Sequence, residues 1–168
     1  MAETKTPNTI QHAMWAGLTL GILLALDTYF GSKSGSFARV ASIVIEAYII
    51  LRAFRFAQDF RDTELAGEIT LWRSFSYTLN LFFFASLIGA LFNIVFYKYI
   101  SPEYIPELIE RSKPTFDALF KDNPNYSPTL VEQLFTAETM AMSSIVAQCM
   151  IGMVLGVLYY PFLRKRNM

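Results

Sequence analysis

Two residue types that enzyme chemistry leans on are almost missing from this chain. It has one cysteine, Cys149, and one histidine, His12, in 168 residues. A lone cysteine excludes a disulfide framework or a thiolate metal site within one chain. Cys149 lies inside an apolar run and reads as a small buried filler. A lone histidine excludes the histidine pair of a zinc site, and His12 reads as an ordinary residue at a membrane edge. Charge is scarce as well: 17% of residues are charged, against about 25% in a soluble domain. The formal net charge is zero, so the basic footprint of a nucleic-acid-binding protein is missing. No glycine-rich phosphate loop, nucleophile elbow or paired-cysteine motif occurs. These absences predict no cofactor, no metal, no catalytic residue and no enzyme activity.

Long apolar runs fill the space instead. Four of them, about 12–30, 37–56, 75–99 and 138–162, each approach the roughly 20 residues that a helix needs to cross a bilayer core. The predicted fold is all-α: one polytopic domain over the whole chain, with four antiparallel transmembrane helices. The first run is too long for a signal-peptide core and ends in Asp27-Thr28-Tyr29-Phe30 with no small-residue cleavage site, so it is expected to be a retained span.

Lysine and arginine set the expected orientation. An even number of spans places Lys5, Arg52, Arg55, Arg61, Arg73, Arg164, Lys165 and Arg166 on one side. The other side holds Lys33 and Arg39 and a last loop that is net acidic. N-in and C-in follows. The first connection, 31–36, is a short flexible turn that makes an antiparallel hairpin. The second breaks at Gly67, and 69–75 reads as an interfacial stretch leading into span three.

The third connection, about 100–137, is long for a bundle. Ser101-Pro102 and Ser127-Pro128 each look like a helix cap followed by proline at the first helical position. Pro114 interrupts, and Asp122-Asn123-Pro124-Asn125 reads as a turn. Two or three short amphipathic helices on the outer surface, or capping the bundle, are expected. The ladder Glu103, Glu107, Glu110 reads as a solvated face rather than a metal cage.

Polar groups inside the runs carry the functional hypotheses, because they are costly in lipid. Glu46 sits near the middle of span two, and Gln148 near the middle of span four at similar depth. Glu46 reads either as a proton or cation site or as interhelical glue, a neutral carboxyl hydrogen-bonded to Gln148 or to a backbone carbonyl. Glue weighs more, since a proton path needs a chain of titratable groups. Asp27 and Arg39 flank the first hairpin at matching depth and are expected to pair across it. Asn80 and Asn93 lie towards the inner and outer ends of span three.

Small residues recur every four positions: Ala13, Gly17, Gly21 and Ala25 in span one, and Ser144, Gln148, Gly152 and Gly156 in span four. Such faces let backbones approach closely. They are expected to pack on each other or on another subunit.

The end of span two, RAFRFAQDFRD (52–62), and the aromatic approach to span three, GEITLWRSFSYTL (67–79), resemble a bacterial family of four-span inner-membrane proteins, domain-of-unknown-function family 4199. So do FYKYISPEYIPELIE (96–110) and the methionine- and glycine-rich last span ending in LRKRN (163–167). The resemblance implies a bacterial inner-membrane location and no assigned activity. Its members' proximity to membrane glycosyltransferases hints at such a partner. The expected function is a non-catalytic accessory or assembly subunit for a membrane partner. The alternative is a homo-oligomeric proton- or cation-coupled transporter using Glu46, and an enzyme acting on lipid-linked substrates ranks last. The lipid bilayer is the one partner the composition requires.

Overall fold

A computed structural model describes residues 8–120 and 128–164. Within them the chain is helical, in the order α1 (Thr9–Gly31), α2 (Ser36–Glu64), α3 (Leu71–Val95), a π-helical turn (Phe96–Ile100), α4 (Tyr104–Phe120), α5 (Pro128–Leu134) and α6 (Ala137–Leu163). Side-chain caps start three of the long helices. Asn8 accepts from the backbone N–H of Gln11, Thr70 from that of Arg73, and Thr136 from that of Thr139. Each satisfies a donor that the first turn would otherwise leave orphaned.

Three helical stretches are long and apolar enough to cross a membrane: Thr9–Gly31, Leu71–Ile100 and Ala137–Leu163. Helix α2 has 29 residues, about 43 Å at a rise of about 1.5 Å per residue. It is long enough but less apolar, because Arg39, Glu46, Arg52 and Arg55 interrupt its run.

Helix α3 is the centre of the bundle. Helices α1 and α6 pack on it from two sides, and α2 packs mainly on α1. The small-residue stripes therefore do not meet each other, contrary to expectation. Gly17 and Gly21 close on Leu81, Phe84, Ala85 and Ile88 of α3, while Gly152 and Gly156 close on Phe75, Thr78 and Phe82. The cause lies on α3, which carries its own small residues on both contacting faces. On the α6 side Ser74 is fully buried and donates to the carbonyl of Gly156 at 2.8 Å. Tyr77, Phe60, Phe82, Leu20 and Leu81 fill the core.

The stretch 69–75 leads straight into α3: Thr70 caps the helix, which runs on from Leu71. Pro114, expected to interrupt, does not end a helix, because α4 continues through it. Its missing N–H removes one backbone bond, which a helix outside the core tolerates more easily than a packed one. Gly67 adopts φ +86° and Ala66 φ +51°, forming the turn between α2 and α3. Helix α5 begins at Pro128 as its motif predicts, whereas α4 begins two residues after Pro102. The turn at 122–125, Ser127 and the basic residues Lys5, Lys121, Lys165 and Arg166 lie outside the described residues.

Candidate functional site

The long helices end at two faces of the bundle. One, the N-terminal face, holds the start of α1, the turn at 65–70 and the end of α6. The other, the hairpin face, holds the 32–35 turn and the approaches to α4 and α6.

Helices α2 and α6 touch in the half nearer the N-terminal face. The Tyr159 hydroxyl donates to the carbonyl of Ile50 at 2.7 Å, and the rings of Phe54 and Tyr159 meet edge to face. Arg61, held by both oxygens of Asp62, donates to the carbonyl of Leu163 at 3.0 Å. That bond anchors the end of α2 to the end of α6, where free carbonyls attract a cation. Arg61 in turn holds the Asp62 carboxyl below the usual carboxylate range, by hydrogen bonding and by its charge.

Beyond Ile50 the two helices separate. A cleft of about 220 Å³ opens there, lined by Asp27 of α1, Glu46, Ile49 and Ile50 of α2, Phe82 of α3, and Gln148 and Ile151 of α6. Glu46 and Gln148 thus share a cavity, as their matching depth predicts. Among the described residues no hydrogen bond joins them, and neither Glu46 nor Asp27 forms an ion pair. Glu46, Ile50 and Ile151 are exposed, so the cleft opens sideways out of the bundle.

The expected pair of Asp27 with Arg39 does not form. Ser42 donates to Asp27 Oδ1 at 2.5 Å, and Arg39 is exposed. Hairpin register explains the change, because it sets Ser42, nearly one turn further along α2, opposite Asp27. A smaller recess adjoins the cleft, lined by Thr28, Ser86, Asn93 and Ser144 together with Asp27 and Gln148. Asn93 ties three helices there: its oxygen accepts from Thr28 at 2.9 Å, and its amide donates to Ser144 at 3.3 Å. Asn80 is not part of this network and donates to Ser76 of its own helix.

A second polar cluster lies at the N-terminal face, where the sequence gives no sign of one. His12 Nδ1 is 2.9 Å from the Tyr77 hydroxyl, and Nε2 is 3.2 Å from Asp59. With the proton on Nε2, His12 donates to Asp59 and accepts from Tyr77. The Tyr77 ring stacks on Phe60 at 4.3 Å, and His12 packs tilted against both. The cluster joins α1, α2 and α3 and borders a cavity of about 450 Å³ lined by Trp15, Phe56 and Asp59 among others. His12 is thus a three-helix fastening rather than an isolated edge residue.

Among the described residues no group of three or more histidine, cysteine or acidic side chains could hold a metal ion. The ladder carboxylates have other company. Glu107 pairs with Arg111, while its own backbone N–H and the Ser101 hydroxyl hold Glu103 below the usual carboxylate range. Cys149 is half-buried on α6.

A family model described as a protein of unknown function (DUF4199) matches residues 10–165. The match covers most of the chain, which therefore belongs to this family. No curated protein and no solved structure was found to match it.

Proposed function

We propose that this member of the DUF4199 family is a non-catalytic, four-span protein of the bacterial inner membrane, N-in and C-in, that serves as an accessory subunit for a membrane partner. Helix α2 is the fourth span. Its length suffices, and besides Glu46 its charged residues are Arg39 near its start and those from Arg52 onward, which leaves 40–51 uncharged apart from Glu46. The observation that carries the reading is the cleft between α2 and α6. The glycine faces of α1 and α6 are taken up inside the fold, and the surface that offers a partner polar groups within the bundle's length is the side where Glu46 is exposed beside a half-buried Gln148. Polar groups at such a depth are normally covered by protein. Catalysis has less support, since the one hydroxyl–imidazole–carboxylate chain among the described residues, Tyr77–His12–Asp59, has its hydroxyl on a fully buried Tyr77.

The test is a pull-down of the tagged full chain from its native membrane in mild detergent, reading mass and partner identity together. A foreign protein in fixed ratio is expected. A homo-oligomer with no foreign protein would sink this reading and favour a second one, proton- or cation-coupled transport. That alternative draws on one observation, that Asp27 joins Glu46 in the same cleft, so two carboxyls line it where one was expected.

A further inference from the structure

We infer that the α2–α6 seam receives a transmembrane helix of another protein, and that this helix carries a lysine or arginine at the depth of Glu46. The inference deepens the accessory reading and rests on it.

Charge is the first ground. Asp27 and Glu46 give the cleft one sign. Gln148 across it offers an amide oxygen that accepts from an ammonium or guanidinium but supplies no charge. The cations of α2 do not reach in. Arg39 lies about two turns away, exposed and near the hairpin face, and Arg52 sits over the ring of Phe56 at 4.6 Å. Asp27 is partly occupied by Ser42, whereas Glu46 has no partner among the described residues. A carboxylate in that setting is stabilised most by an opposite charge brought in from outside.

The walls decide what carries the charge. Ile43 lies one turn before Glu46 on the same face of α2 and Ile50 one turn after it, both exposed, and Ile151 of α6 lines the cleft across from them, also exposed. This apolar surface extends over about two helical turns, about 11 Å. A small hydrated cation would leave it uncovered, whereas an apolar helix with a single basic residue covers walls and carboxyl together. A second copy of this chain fits poorly. Two-fold pairing presents the same face from both copies, and the cleft-lining residues of that face include acids and no lysine or arginine.

The experiment uses the full chain reconstituted in lipid vesicles and three synthetic leucine helices of about 20 residues, with lysine, leucine or glutamate at the centre. Energy transfer between labelled chain and helix reads association. The lysine helix should bind about tenfold more tightly than the leucine helix, the size of effect that interhelical polar contacts produce, and the glutamate helix should bind weakest. Glu46→Gln should erase the lysine preference and Glu46→Asp should keep it. Equal binding of the lysine and leucine helices to the unaltered chain overturns the inference without recourse to any variant. So does self-association that the lysine helix does not displace. A foreign protein that stays bound to Glu46→Gln would overturn the inference while leaving the accessory reading intact. A lysine preference with no foreign protein in the pull-down would overturn the accessory reading, and with it the assignment of the helix to another protein.

Discussion

Tyr77 is fully buried, and its hydroxyl has His12 as its side-chain partner. Removing the imidazole leaves the hydroxyl of a fully buried ring unsatisfied, while removing the hydroxyl leaves a nitrogen of His12, whose side chain is 20% exposed, without that partner. The two substitutions should therefore differ. His12→Ala is expected to cost about 1–3 kcal/mol, the penalty for a stranded buried donor, and Tyr77→Phe about 1 kcal/mol. The double variant should cost less than the sum, because no stranded group remains. Unfolding in detergent measures all three, and strict additivity would show that His12 and Tyr77 do not act through each other. Nothing in the sequence foretells this pair. His12 lies 65 positions from Tyr77 and 47 from Asp59, and none of the three falls in a spacing that local periodicity can read. Glu46 and Gln148 were legible because depth along a span can be counted from its ends. The partner of Asp27 was not, since Arg39 and Ser42 differ by less than a turn and hairpin register decides between them.

At the scale of helices, the glycines on α1 and α6 mark where backbones touch α3. A methyl group at Gly21 would stand 2.6 Å from Ile88 Cβ, at Gly17 2.7 Å from Phe84 Cβ, and at Gly156 2.7 Å from Phe75 Cα. None of these neighbours is the free end of a flexible side chain. Gly17→Ala, Gly21→Ala and Gly156→Ala should each destabilise by about 1–3 kcal/mol, the usual cost of overpacking. Gly89 has 3.4 Å to Leu24, so Gly89→Ala should be close to neutral. Melting temperatures in one detergent would rank the four, and a Gly89 variant as damaged as the rest would contradict this packing. The four-residue spacing made tight packing readable from sequence. It could not say which helix receives the stripe, because Ala85 and Gly89 give α3 a shorter small-residue face too and spacing alone does not choose among the three. Helix bounds were easier. Apolar runs located α1, α3 and α6 closely, whereas α2 runs on to Glu64, past the arginines that marked the expected end of its span.

For the whole molecule, four spans require that the 32–35 turn and helix α4 share one side of the membrane and the turn at 65–70 the other. With Cys149 replaced by serine, single cysteines at Ser34, Ser112 and Glu68 report this directly. The first two should react with an impermeant maleimide added to spheroplasts, and the third only after the membrane is opened. Equal labelling at 34 and 68 would mean that α2 does not cross. Helix α2's deficit of apolarity also bears on how the protein is made. Each arginine or acid near the middle of a helix adds about 2.5–3.5 kcal/mol against insertion from the translocon, so as a fourth span α2 would enter lipid poorly by itself. Synthesis delivers α1 first, and α1 is apolar enough to cross. The turn at 32–35 then brings α2 alongside it, with Ser42 placed to meet Asp27. The helix least able to insert alone thus leaves the ribosome already tethered to the neighbour it packs against.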